Sequence, residues 1–85
     1  MYYYVYVLQS QKDYNHYVGY TKDLQKRLVM HHEGKVRSTK SRLPLKLVYF
    51  EGCLDHNDAI QREKYLKTAW GKRYIKNRLK NYLNP

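Results

Sequence analysis

Residues Tyr2–Gln9 read YYYVYVLQ, and beyond a polar stretch, QKDYN at 11–15, His16–Tyr20 read HYVGY. β-branched and aromatic residues fill both segments, which is the composition of strands. In the first, Tyr4, Tyr6 and Leu8 fall on one face and Tyr3, Val5 and Val7 on the other. Both faces are apolar, so this strand is expected at the centre of a sheet covered on both sides. The polar connection is short, which makes the pair an antiparallel hairpin. Tyr17 and Gly19 share a face by the two-residue period. A glycine inside a strand weakens it and usually marks a close approach to its backbone.

Outward from the hairpin, Thr21 is the expected N-cap of a helix, with Asp23 in its first turn and Gly34 as its stop. Around that helix Leu24, Arg27, Leu28 and His31 sit side by side, so a guanidinium and an imidazole one turn apart flank an apolar stripe. Arg27 reads equally as a snorkelling surface side chain, and His31 as a satisfied or exposed histidine. Gly34–Arg42, GKVRSTKSR, has no periodicity. It reads as a mobile loop in which Lys35, Arg37, Lys40 and Arg42 alternate with hydroxyls, a composition suited to phosphate oxygens or simply to solvent. Past Pro44, Leu45–Phe50 is the third strand, Leu47 and Tyr49 alternating with Val48 and Phe50, and Gly52 closes it.

Asp55–Trp70 is expected as one amphipathic helix capped by Asp55. Ala59, Ile60, Leu66 and Trp70 lie within roughly 120° of arc at about 100° per residue. Glu63 lies inside that stripe and points toward the domain body. A carboxylate there requires a cation, because burying an unpaired charge costs several kcal/mol. A structural salt bridge is the simplest candidate and a metal ion the more informative one. Gly71 is expected to break this helix. Lys72–Leu83 then forms the last one, with Ile75, Leu79 and Tyr82 inward and Lys72, Arg73, Lys76, Arg78 and Lys80 outward.

Composition narrows the partners. The 85 residues are expected to form one domain, 1–85. Lys and Arg number 17 against 7 Asp and Glu, a net charge of +10, and no acid follows Glu63. Such a field draws polyanions, nucleic acid ahead of an anionic membrane. Eleven of the thirteen aromatic residues are tyrosines, so most rings carry a hydroxyl that can hydrogen-bond or titrate. Cys53 is the sole cysteine, which excludes a disulfide framework and a cysteine zinc site; a buried, inert thiol is expected. The N-terminus lacks a basic region ahead of a long apolar run, and nothing approaches 18 consecutive apolar residues. The expectation is a cytoplasmic protein with no membrane partner.

Tyr6, Tyr17, Arg27, His31 and Glu63 together suit phosphodiester chemistry. One carboxylate can hold one Mg²⁺, leaving other positions to water and phosphate. A guanidinium stabilises charge on the phosphorane, and a tyrosine near a cation can position or deprotonate water. Val5-Tyr6, then Tyr17-Val18-Gly19, then Arg27, His31 and Glu63 in EKYLK resemble the GIY-YIG nuclease domain over nearly the whole chain. The resemblance is greatest to its small stand-alone members, and extends to the catalytic domain of nucleases that cut branched DNA. It implies an α/β fold of the α+β type, with a three-stranded antiparallel sheet flanked by helices. It also implies one divalent metal on Glu63 and catalytic roles for Tyr6, Tyr17, Arg27 and His31. Tyr4 stands where the family motif has Gly, and Val5 and Val18 stand at its isoleucine positions. Larger members close the site with an asparagine near the domain end; Asn77 and Asn81 are the candidates here, Asn77 on the outward helix face.

The resulting expectation is an Mg²⁺- or Mn²⁺-dependent endonuclease. It would use a single ion and select its DNA, branched or flapped, by structure rather than sequence. Lys35, Arg37, Lys40, Arg42, Lys72 and Arg73 would hold the backbone. Composition does not separate DNA from RNA. The alternative is a non-catalytic nucleic-acid binding module on the same fold, in which the tyrosines offer stacking surfaces. A third reading is a structural partner domain of a larger assembly.

Overall fold

A computed structural model describes residues 1–85. Strand β1 spans Tyr3–Ser10, β2 His16–Thr21 and β3 Leu45–Cys53, and they form one antiparallel sheet in the order β2-β1-β3. Helices α1 (Leu24–His32), α2 (His56–Leu66), α3 (Ala69–Arg78) and α4 (Lys80–Leu83) complete an α+β fold. The strand with two apolar faces takes the central position, because only there are both covered. Val5 and Val7 join Val18, Ala59, Leu66 and Ile75 in one core, beneath α2 and α3. Tyr6, Leu8 and Leu45 form a second core on the opposite face, closed by Tyr17, Leu24, Leu28, Leu43 and Leu47. Each fully buried valine or leucine adds roughly 1.5–3 kcal/mol.

The pairing Tyr6↔Gly19 places the glycine under the Tyr6 ring. A Cβ at Gly19 would stand 2.5 Å from the Tyr6 hydroxyl oxygen, so the missing side chain is what lets that hydroxyl cross β2. Asp23, rather than Thr21, caps α1, accepting from the Lys26 N–H at 3.1 Å. Gly34 ends the helix as expected, with φ +73°. Asp55 caps α2 through the N–H groups of Asn57 and Asp58.

Several further expectations are corrected. In β3 a bulge between the pairs Val7↔Tyr49 and Leu8↔Leu47 leaves Val48 extra. Leu47 and Tyr49 therefore face opposite cores rather than one. The strand also runs on through Gly52 to Cys53, and Cys53 is a half-buried free thiol. The Asp55–Trp70 segment is not one helix. It breaks at Lys67–Thr68, where the Thr68 hydroxyl accepts from the Gly71 N–H at 3.2 Å and donates to the Tyr65 carbonyl at 2.6 Å. Gly71 lies inside α3, buried against the end of α2, and Trp70 points out, 67% exposed. Finally, Gly34–Arg42 is no open loop. Val36 and Thr39 are buried, and Lys40–Arg42 form a short 3-10 turn.

The helices are locked to β3 by a polar network. Arg62 on α2 grips Glu51 on β3 through two hydrogen bonds, 2.6 and 3.2 Å. The Tyr49 hydroxyl donates to the same carboxylate at 2.7 Å and lies 3.4 Å from that of Tyr74 on α3. No helix is long and apolar enough to cross a membrane.

Candidate active site

The site gathers around the β2 edge. Tyr6 is fully buried, and its oxygen lies 2.9 Å from His31 Nε2 and 3.4 Å from Arg27 Nε. Arg27 can only donate, so the Tyr6 oxygen accepts from it and is left to donate its own proton to His31. The far side of the imidazole agrees. Thr39 Oγ1 donates to the Val36 carbonyl at 3.5 Å and sits 2.8 Å from His31 Nδ1. Its lone pair accepts from Nδ1–H, which leaves Nε2 bare and facing Tyr6. Thr39 thus fixes the tautomer that lets His31 take a proton. Sequence pattern gives no sign of this role for Thr39, because its bond to His31 spans the turn after Gly34.

Charges follow from this packing. Burial, and then the Arg27 charge, bring His31 down to about 4 from its ordinary 6.5. The imidazole is therefore neutral near pH 7. Burial raises the Tyr6 pKa, and the hydrogen bond from Arg27 opposes it. Arg27 is held more firmly charged, chiefly through Tyr6. The Tyr17 ring stacks edge-on to His31, with centroids 5.3 Å apart, and is only half-buried. It borders an open depression of about 240 Å³ that Lys67 and Lys72 also line.

Because the unfolded chain binds a proton at His31 between pH 6.5 and 4 and the folded chain does not, stability falls as pH drops through that window. The expected loss is roughly 2 kcal/mol between about pH 7 and pH 4.5. Urea unfolding at the two pH values checks it against His31→Gln, whose curve should lack this increment; equal pH dependence in both proteins would refute it.

Glu63 arrives from the other face of the sheet, on α2. Its side chain is 17% exposed, and its negative charge contributes to raising the Tyr6 pKa. Oε2 pairs with exposed Lys67, one turn on, at 3.4 Å. No buried side-chain oxygen lacks a partner, so Oε1, which takes no protein hydrogen bond, reaches solvent. A hard oxygen donor with a free position and a weakly held exposed partner fits Mg²⁺ or Mn²⁺. No three His, Cys, Asp or Glu side chains come together as a metal cluster, so the protein would offer this one carboxylate and leave the other positions to water and substrate.

The six cations expected on the backbone do not form one surface. Lys35 pairs with Glu33 at 3.0 Å in the open. Arg37 and Lys40 are exposed and carry no ion pair. Arg42 is a strut: its side chain meets Asp13 at 3.7 Å, and its carbonyl accepts from the Ser10 hydroxyl at 2.7 Å. Lys72 faces the depression beside Tyr17, whereas Arg73 turns away and covers the Trp70 ring. Asn77 sits with Trp70, away from the site, and Asn81 is exposed on α4.

Comparison with known proteins agrees with this architecture. The family model described as the GIY-YIG catalytic domain matches residues 2–79. A UPF0213 protein of Streptococcus pneumoniae is 42% identical over 65 residues, 75% of this chain and 65% of its own. One from Bacillus licheniformis is 42% identical over 79 residues, 88% and 80% of the two chains. The chain therefore spans 65% of the length of the pneumococcal relative. The solution NMR structure of a UPF0213 protein from Bacillus halodurans superposes with a TM-score of 0.55 at 31% identity, covering 88% of this chain and 82% of that one.

Proposed function

Since this chain belongs to the GIY-YIG family, whose domain is of the nuclease type, we propose that residues 1–85 form one catalytic domain that hydrolyses DNA phosphodiester bonds as a divalent-metal-dependent endonuclease. The observation that carries the reading is the Tyr6 hydroxyl, held between a neutral imidazole that can accept its proton and a guanidinium that can bind phosphate. Glu63 holds the ion, Mg²⁺ or Mn²⁺. When bound, such an ion polarises the phosphoryl oxygen and relieves charge on the leaving oxygen.

The chain's own side chains do the rest. Arg27 leaves its long bond to Tyr6 for the phosphate, where its forked donors stabilise the growing charge. That exchange uncovers the Tyr6 oxygen. Tyr17, half-buried at the depression, orients the attacking water. As the water oxygen bonds to phosphorus and the bond to the leaving oxygen breaks, the water proton passes to Tyr6 and the Tyr6 proton to His31 Nε2. The leaving oxygen takes its proton from solvent. Arg37, Lys40 and Lys72 track the backbone, and affinity falls steeply with salt. Branched or flapped DNA is selected by shape rather than by base sequence. The cytoplasm, where bacterial relatives keep their DNA, is the compartment this activity needs.

One observation favours the binding-module reading: Tyr6 touches no solvent, and its hydroxyl is satisfied on both sides. Assays on flapped, branched and plain duplex DNA decide between the two. Cleavage that needs Mg²⁺ or Mn²⁺ and stops on chelation is the expected result. Salt-sensitive binding with no cleavage of any substrate, under either ion, would leave the module alone standing.

A further inference from the structure

Helix α3 carries Trp70, Arg73, Tyr74 and Asn77 at i, i+3, i+4 and i+7. That spacing normally marks the buried stripe of a helix. Here Gly71 and Ile75 are buried instead, and Trp70 is left 67% exposed, with Tyr65 at 40% beside it. Burying an indole is among the largest stabilising terms open to a small domain, so leaving the chain's one tryptophan in water calls for a partner. Together Tyr65, Trp70, Arg73, Tyr74 and Asn77 line an open depression of about 450 Å³.

Its chemistry is specific. The Arg73 guanidinium lies 5.0 Å from the Trp70 ring centre, and that of Arg62 lies 5.3 and 4.8 Å from those of Tyr65 and Tyr74. Arg62 is neutralised by Glu51. Arg73 has no carboxylate partner, and no acid follows Glu63, so Lys72, Arg73, Lys76 and Arg78 give α3 an unbalanced positive charge. Aromatic rings bordered by guanidinium groups, of which Arg73 keeps its charge unpaired, and a carboxamide at the rim match a planar base on an anionic backbone. The depression is separate from the candidate active site: at about 100° per residue, Tyr65 and Glu63 point roughly 160° apart around α2.

From this we propose that the Tyr65–Trp70–Arg73 surface is a stacking platform for an unpaired base of single-stranded DNA. The platform rests on the nuclease reading for the identity of its nucleic acid and deepens it: the substrate would be DNA with a single-stranded arm, held on the opposite flank of α2 from Glu63. Arg73 contacts the phosphate next to the stacked base, and Asn77 the base edge.

Trp70 is the sole tryptophan, so the chain reports on its own platform. With metal withheld, an end-labelled oligothymidylate strand and a blunt duplex of equal length are titrated into the protein, following label anisotropy and Trp70 emission together. The strand should quench the emission as it saturates, and the duplex should bind with emission nearly unchanged. Trp70→Ala, at an exposed position, should weaken strand binding about tenfold and leave duplex binding within about twofold. Saturable strand binding with unaltered emission, or equal weakening for strand and duplex, would overturn the platform. So would absence of strand binding, which would leave the surface to a protein partner. Because this titration is independent of the cleavage assay, quenching by the strand alongside failure to cut any DNA in that assay would uphold the platform and remove the nuclease, whereas cleavage without quenching would do the reverse.

Discussion

Glu63→Gln is expected to slow DNA cleavage by roughly 10²- to 10³-fold while DNA affinity stays within about twofold. The substitution keeps shape and removes charge, so it separates ligation from packing. Its structural cost is small, since the one partner lost is Lys67, an exposed residue one turn away. Such helix pairs contribute about 0.3–0.5 kcal/mol. Thermal unfolding should therefore move little. Lys67→Ala removes the same pair from the other side and should leave cleavage intact. Measured single-turnover rates, binding and melting for all three proteins distinguish the roles. If Glu63 serves only to anchor Lys67, the two variants will behave alike, and a Glu63→Gln protein that cuts at the wild-type rate ends the metal assignment.

The largest effect on stability is expected from Gly71→Ala. Local propensity alone predicts a gain, because alanine is favoured over glycine by up to about 1 kcal/mol inside a helix. Packing reverses the sign. A Cβ at Gly71 would lie 2.1 Å from the Tyr65 carbonyl oxygen and 2.3 Å from Leu66 Cα. Both are backbone atoms and cannot rotate away, so α3 would have to back off from α2. That motion would loosen Ile75 and Leu66 from the core they share. A net loss of about 3 kcal/mol is expected, a large fraction of what a domain this size commands and a fall in Tm of roughly 12–24 °C. Equal or higher Tm in the variant would show that the helices can slide, and would undo the account of the α2–α3 junction.

At that junction tertiary packing overrides local sequence pattern. Glycine is costly in helices, so Gly71 reads as a helix breaker, but the packing of α3 on α2 requires it there for its lack of a side chain. Thr68, a good N-cap residue, carried the true boundary in plain view. By contrast, the placement of β1, the hairpin and the approach to Gly19 followed from alternation, since period two leaves few options for a strand with two apolar faces. Tyr6, Arg27 and His31 come together as their spacing implied, because one turn of helix fixes the last two relative to each other. Glu63 keeps its inward position. What spacing could not convey was contact between elements: the hold of Thr39 on His31, the bulge at Val48, the full enclosure of Tyr6, and the outward turn of Trp70, whose expected place in the stripe belonged to a helix that ends before it.

The two faces of β1 give the strand an unusual grammar. Its odd-numbered residues Val5 and Val7 build the core beneath α2 and α3, while Tyr6 and Leu8, the even ones, build the other core, with Tyr6 at the site. Substitutions on one face leave the words on the other face intact, so chemistry and packing can drift separately within a single strand. A one-residue insertion or deletion near its start spares neither, for it transposes the two messages and carries Tyr6 into the place of a valine. Such a strand tolerates misspelling far better than a shift of frame.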